Sequence, residues 1–309
     1  MKPHAECGPC LIHWVFDRAA PHTADKETAP LVRSIVDILL KEVSPDANLG
    51  ALCNSTVYAV TALTPGLVGH YGNLKAKSDE HARTFLPEAA TYIINAATAR
   101  EGFERSCFLA AAANVSPLGA PSGAYTFSEM RSLMAQQGSR PAIVGDVYGA
   151  VRASNNILYV PDNAGEIGFD ALVMAQLKAM GKRVTLVVKE GTFFEDATID
   201  DARFFDLEGL VDEIVTTRGF LAPADLEPDA ARALSEADLI MAKGTGTYEA
   251  LHGEPLGRPV IFMLKIKCAV LARETGMGMG TVVVKVEQPK GRKRQQKVKV
   301  KVKVEKKKK

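Results

Sequence analysis

Seven short apolar runs punctuate the second half of this chain, at Ala142 to Val144, Asn156 to Val160, Arg183 to Val188, Glu213 to Thr216, Leu239 to Ala242, Pro259 to Phe262 and Thr281 to Val286. Helical spacing fits between most of them. Continuous Val/Ile/Leu runs are strands buried on both faces, and helices of about 10–15 residues between them imply right-handed crossovers in a parallel sheet. Residues 138–288 are therefore predicted to form a doubly wound, mostly parallel α/β unit. Residues 1–137 have a different period. Leu31, Ile35, Ile38 and Leu39 share one helical stripe, and Ala89, Tyr92, Ile93, Ala96 and Ala97 share another, so this half reads as a helical bundle packed on the sheet. Its breaks fall at Pro21, Ser44-Pro45-Asp46, Thr64-Pro65-Gly66 and the Pro/Gly-rich run from Ser116 to Gly123, which is expected to be a hinge or active-site loop.

With 309 residues, 47% hydrophobic and 24% charged, the chain has enough apolar material for a sizeable core. Residues 289–309 hold twelve Lys or Arg against Glu305, a net +11, so the overall +2 leaves −9 for residues 1–288. The Lys-Val alternation of that tail cannot build a core and predicts a disordered segment. Clustered cations could also neutralise nucleic-acid phosphates, but no groove-reading element accompanies them, so nucleic acid is not the expected partner. No stretch reaches the roughly 20 apolar residues that span a bilayer, and Met1-Lys2-Pro3-His4-Ala5-Glu6 lacks a secretory apolar core, so no membrane partner and a cytoplasmic address are expected. Five cysteines, an odd number, do not suggest a disulfide framework.

The chemistry concentrates at strand ends. Asp162-Asn163-Ala164-Gly165-Glu166 follows one apolar run and opens a helical pattern, the place where open α/β sheets assemble ligand sites. Asp196 follows the next strand. Two carboxylates and a carboxamide (Asp162, Asn163 and Asp196) with open positions suit a hard divalent cation such as magnesium or manganese. Alternatively, both aspartates are helix N-caps. Glu166 could order a water or act as general base, or could simply complement a helix dipole.

After Leu239 to Ala242 comes Lys243-Gly244-Thr245-Gly246-Thr247-Tyr248-Glu249. Glycines let backbone N–H groups approach an anion, and a strand-end lysine supplies a point charge for a phosphoryl group. A tight strand-to-helix turn is the plainer reading. Glu249 stands where a dinucleotide fingerprint needs a third glycine, and the P-loop spacing is absent. Lys243 after a buried strand needs a partner, for which Asp162, Asp196 or a bound phosphate are the candidates. Asn114, just before the Pro/Gly run, could cap a helix C-terminus or reach into the cleft. His4, Cys7, Cys10 and His13, at intervals of three, could gather zinc, or mark a helix start with semi-buried thiols.

Asp162-Asn163-Ala164-Gly165-Glu166, Glu195-Asp196-Ala197-Thr198, Lys243-Gly244 and Leu264-Lys265-Ile266-Lys267-Cys268, in that order and preceded by Cys7-Gly8-Pro9-Cys10, resemble the metal-dependent damage-control phosphatases, the acidic-residue methyltransferase-like domain family. The resemblance implies a helical part on a Rossmann-like sheet and hydrolysis of small phosphorylated metabolites, with manganese, cobalt, nickel or magnesium as cofactor. It implies Asp162, Asn163 and Asp196 as metal ligands, Lys243 and Gly244 at the phosphate with Asn114 as a further phosphate-binding residue, and Glu166 close by. The expected enzyme is thus a metal-dependent phosphoric monoester hydrolase, with Asp162, Glu166 and Lys243 carrying the reaction. The alternatives are an S-adenosylmethionine-dependent methyltransferase using the Gly244-to-Gly246 turn and a non-catalytic phosphometabolite-binding protein.

Overall fold

The computed structural model describes residues 1–114, 127–135 and 142–289. The Ser116 to Gly123 run and all of the basic tail except Pro289 lie outside the described residues. Among the described residues seven α-helices come first: α1 (Cys7–Ala19), α2 (Asp25–Glu42), α3 (Leu49–Leu63), α4 (Gly66–Arg83), α5 (Leu86–Ile94), α6 (Ala99–Ala112) and α7 (Ser128–Met134). Strands and helices then alternate: β1 (Ala142–Val144), α8 (Val147–Arg152), β2 (Asn156–Val160), α9 (Glu166–Ala179), β3 (Arg183–Lys189), α10 (Ile199–Phe204) and β4 (Glu213–Thr217). The series ends with α11 (Pro228–Glu236), β5 (Leu239–Lys243), α12 (Gly244–Leu251), β6 (Val260–Lys265), α13 (Ala269–Thr275) and β7 (Val282–Glu287).

The seven strands form one sheet in the order β1-β7-β6-β5-β2-β3-β4. From β6 to β4 the pairing is parallel. β7 runs antiparallel to β6, while β1 is parallel to β7. The reversal is set just past β6, where Ile266 N–H donates to Thr281 O at 2.9 Å and Gly280 N–H to Ile266 O at 2.8 Å, so the chain doubles back at that end of the sheet.

Side chains on a strand alternate between faces, and each face collects its own helices. Leu158, Val160, Val187, Ile240, Ala242 and Phe262 pack with Leu11, Val15, Leu31, Ile35, Leu52 and Val57 from α1, α2 and α3. Ile157, Tyr159, Leu186, Val188, Leu239 and Met241 pack with Phe103, Cys107, Ala110 and Ala111 of α6 and with Val173, Met174 and Leu177 of α9. The N-terminal helices thus pack on the sheet as expected, and they cover both of its faces. All three apolar clusters draw residues from both sides of position 137. Among the described residues no single helix is long and apolar enough to cross a membrane.

The contact between α3 and α12 depends on a missing side chain. A Cβ on Gly50 would lie 2.4 Å from Ala250 Cβ and 2.7 Å from its Cα. Replacing a helical glycine with alanine usually gains about 1 kcal/mol, but overpacking against backbone costs about 1–3 kcal/mol, so the clash wins. Gly50→Ala should lower the urea unfolding midpoint; an unchanged or raised midpoint would show that the two helices are not in close contact.

Candidate active site

From β2 the chain winds outward through β3 and β4, and from β5 it winds the other way through β6. The loops leaving β2 and β5 therefore diverge, which opens a crevice at their carboxyl ends. Asp162 to Gly165 leaves β2, and Lys243 ends β5 beside it, Val160 being paired with Ala242. Two positive-φ glycines let these loops meet. At Gly244, with φ +76°, a Cβ would lie 2.2 Å from Asp162 Cγ, so the aspartate lies directly against the start of α12. At Gly165, with φ +72°, a Cβ would lie 2.3 Å from Ser78 Oγ of α4.

The loops after β2 and β3 are stitched together. Asn163 and Asp196 form an isolated antiparallel bridge, flanked by Ala164 N–H to Glu195 O at 2.9 Å and Ala197 N–H to Asp162 O at 2.8 Å. This is the narrow, non-hydrogen-bonded type of pair, with Cα atoms about 4.5 Å apart and side chains on one side. Asp162, Asn163 and Asp196 are thereby brought together. Neither aspartate caps a helix. Gly165 takes the cap position of α9, and Thr198 caps α10 in a capping box with Asp201.

Below this group lies a fully buried polar layer. Asn114 Nδ2 donates to Asp162 Oδ2 at 2.6 Å and to both oxygens of Glu166 at 3.2 and 3.1 Å. Asn163 Nδ2 donates to Asp162 Oδ2 at 2.9 Å and to Glu166 Oε2 at 3.1 Å. Asn114 thus reaches into the crevice, and Ala113 holds the C-cap position of α6. Lys243 Nζ donates to Glu166 and, at 2.8 Å, to Asp170, which also accepts from Tyr159 OH at 2.8 Å. Its partners are therefore two acids of α9 and not Asp162 or Asp196, because by strand alternation Lys243 points to the α9 face. Contact with a phosphoryl group would require it to leave one of them.

Exposure separates the layers. Asp162, Asn163 and Asp196 retain 8, 8 and 7% of their surface, whereas Asn114, Glu166, Asp170 and Lys243 retain none. Burial raises Glu166 to about 8, with Asp162 and Asp170 adding to the rise and Lys243 opposing it. Burial also raises Asp196 to about 7, opposed by Lys189, whose Nζ is 3.1 Å from Oδ2, and reinforced by Asp162. Lys243 is pulled down by burial, but Asp170 and Glu166 outweigh that and hold it firmly protonated. Four carboxyl groups thus face two ammonium groups, and Asp162 accepts from the neutral amides of Asn114 and Asn163. A surplus of buried acid with oxygen donors at the rim is chemically suited to a hard cation.

Sequence reasoning missed a supporting shell that long-range pairing builds. Arg18 of α1 grips Glu195, next to Asp196, with Nε at 2.9 and 3.0 Å and Nη2 at 2.6 Å. Lys75 of α4 reaches Thr198 Oγ1 at 2.9 Å and Asp201 at 2.8 Å. Asp79 accepts Gly165 N–H at 2.5 Å, and Ser78 Oγ donates to Ala164 O at 3.2 Å. The one available signal was a charged residue on an otherwise inward-facing stripe, as for Arg18 between Val15 and Ala19. The alternative zinc cluster does not assemble. His4 turns to Glu274 at 3.1 Å, His13 turns to Asp17 at 3.2 Å, and Cys10 is exposed. Among the described residues no group of three or more His, Cys, Asp or Glu is arranged to hold a metal ion, and the crevice set includes an asparagine.

Comparison with known proteins agrees with this architecture. The model of the damage-control phosphatase ARMT1-like domain matches residues 4–283, and the chain belongs to that family. A damage-control phosphatase of Archaeoglobus fulgidus is 30% identical over 288 residues, covering 90% of this chain and 96% of the relative. Another, from Pyrococcus horikoshii, is 36% identical over 132 residues, covering 42% and 46%. The crystal structure of a DUF89 family protein from Pyrococcus horikoshii superimposes with a TM-score of 0.76 at 25% identity, over 92% of this chain and 98% of that one.

Two outcomes follow from the geometry. Gly244→Ala would force a Cβ into the Asp162 carboxyl group and strain the backbone, so it should lower the urea unfolding midpoint; an unchanged midpoint would mean that Asp162 does not need that approach. Asp79 is raised from its ordinary 3.8 to about 8, by burial first and by Asp201 second. Its raised value adds stability that is full below pH 4 and is lost as pH rises to 8, because the folded state keeps a proton there that the unfolded chain has released. Urea unfolding of Asp79→Asn should therefore show a flatter fall in stability from pH 5 to pH 8 than the parent; parallel profiles would contradict the assignment.

Proposed function

We propose that the protein is a metal-dependent phosphoric monoester hydrolase acting on small phosphorylated metabolites, such as sugar phosphates or damaged phosphometabolites. Asp162, Asn163 and Asp196 hold the divalent cation (manganese, cobalt, nickel or magnesium). The observation that carries this reading is the backbone bridge between Asn163 and Asp196, which gathers oxygen ligands from two strand ends at the switch point of the sheet. The names of the two archaeal phosphatases support the phosphatase class.

When bound, the cation would supply Lewis-acid polarisation of a phosphoryl oxygen. The protein's own groups do the remaining work. Asn114 and Asn163 fix the rotation of Asp162 by holding its Oδ2, so the carboxylate is preorganised. Glu166 shares those amide donors, and burial, with Asp162 and Asp170 adding to it, pushes it upward, which makes its carboxylate a stronger base than a free glutamate. In its carboxylate form it accepts a proton from the water that attacks phosphorus in line, while the P–O bond to the alcohol breaks and the departing oxygen takes its proton from solvent. Lys243 offsets the charge of Glu166 and Asp170 beneath the crevice. Gly244 supplies the close approach at the phosphate end, where a larger residue would displace Asp162.

The Gly244-to-Gly246 turn is filled by protein groups. Asp162 lies against Gly244, and a Cβ on Gly246 would lie 2.2 Å from the Phe220 ring. That favours the phosphatase over a methyltransferase using the turn as a cofactor cradle. The free thiols of all five cysteines fit a reducing compartment, and the cytoplasm is the proposed site of action.

The assay is hydrolysis of a generic phosphate ester with added manganese. Asp162→Ala and Asp196→Ala should each lower kcat/KM by about 100-fold or more while the fold is retained, and a chelator should abolish turnover of the parent. Unchanged turnover in either variant would remove the proposed site. Tight phosphate-ester binding by the parent without turnover would favour a sensor.

A further inference from the structure

We infer that Lys189, at the end of β3, is the residue that binds the phosphate of the substrate, and that without a cation its ammonium serves as the counter-charge of Asp196. This rests on the phosphatase reading above and adds to it the cation that meets the phosphate.

The buried cations around the crevice differ in how completely they are used. Arg18 makes three hydrogen bonds to Glu195, Lys75 has Thr198 and Asp201, and Lys243 has Glu166 and Asp170. Lys189 is as deeply placed, at 3% exposure, yet its recorded polar partner is Asp196 Oδ2, at 3.1 Å. That ion pair lacks the alignment of a hydrogen bond, and Oδ2 is left without one. The rest of its surroundings is aromatic, with the Phe193 ring centre at 5.5 Å and the Phe220 ring centre at 5.2 Å. Ring faces attract a cation but accept no directed bond comparable to a carboxylate's, so an ammonium with three donors is under-used here.

Position matches this chemistry. Lys189 shares the parity of Val187, whose side chain packs with Val160 and Phe220, so it lies on the sheet face opposite Lys243. Its backbone is fixed, with Lys189 N–H donating to Ala197 O at 2.9 Å. The aromatic wall is fixed as well. Asn54 Nδ2 donates to Phe220 O at 2.9 Å, and Phe220 N–H donates to Asn54 Oδ1 at 2.7 Å. Lys189 is therefore held on a rigid strand beside a proposed metal ligand.

Asp196 cannot fully serve two cations. Once a divalent ion takes its charge, the Lys189 ammonium is buried without an adequate anion, and leaving it so is costly. The anion that the reaction brings is the phosphate of the substrate. Cation and phosphate should then bind cooperatively, because each relieves the competition that opposes the other.

Isothermal titration calorimetry with Mn2+ and with inorganic phosphate, on the full chain and on Lys189→Met and Lys189→Arg, tests this. In the parent, phosphate should bind more tightly with Mn2+ present than without it. Lys189→Met should keep or gain Mn2+ affinity and lose phosphate affinity by roughly 10- to 100-fold, with partial recovery in Lys189→Arg. Unchanged phosphate affinity in Lys189→Met would overturn the inference, as would a 10-fold loss of Mn2+ affinity, which would make Lys189 a positioning residue for Asp196. Should Lys189→Met fail to fold, the parent decides alone: phosphate affinity indifferent to Mn2+ overturns the inference. A parent that binds neither Mn2+ nor phosphate would instead sink the phosphatase reading itself.

Discussion

Two backbone hydrogen bonds, from Ala164 to Glu195 and from Ala197 to Asp162, tie the loop after β2 to the loop after β3 and hold three oxygen-bearing side chains at one point of the sheet edge. That gathering is electrostatically expensive. Burial first, and the neighbouring Asp162 charge second, makes these carboxyl groups resist ionisation, as the raised positions of Asp196 and Glu166 record. Much of the surrounding structure acts to make the arrangement tolerable. Lys243 and Lys189 supply opposing charge from the two faces of the sheet, Asn114 and Asn163 supply neutral donors, and Arg18 and Lys75 neutralise the acids next in line.

The helical half of the chain acquires a purpose in this light. α1 and α4 lie over the loops that carry the site and deliver Arg18, Lys75, Ser78 and Asp79 to them, while α6 ends in Asn114. Asn114 is used on both ends of its amide, since its Oδ1 also accepts Lys265 N–H at 3.4 Å from the end of β6. One side chain therefore links a helix terminus, the loop after β2 and the end of a third strand. A crevice built this way is preorganised before any ligand arrives, and preorganisation of charge is the largest single contribution that a protein makes to such chemistry.

Local pattern revealed what is local. The strand positions were legible because continuous apolar runs of about five residues have few other solutions, and observed bounds such as Ala142–Val144 and Asn156–Val160 coincide with the expected ones. The crevice was legible at Asp162 and Asp196 because strand-end acids repeat at successive strands. Pairings across long separations were not legible. Nothing near Lys243 in sequence announces Asp170, 73 positions away, and Lys189 reads as an ordinary strand end until Phe193 and Phe220 close around it. The reversal of β7 was hidden for a similar reason, because a Val-rich run looks the same in either direction.

Diffraction from crystals soaked in Mn2+, recorded where manganese scatters anomalously, addresses the central claim most directly. The account requires one strong peak bounded by a carboxyl oxygen of Asp162, the carboxamide oxygen of Asn163 and a carboxyl oxygen of Asp196, each at about 2.0–2.6 Å. A peak elsewhere in the molecule, with those three side chains still in their contacts with Asn114, Glu166 and Lys189, would contradict it.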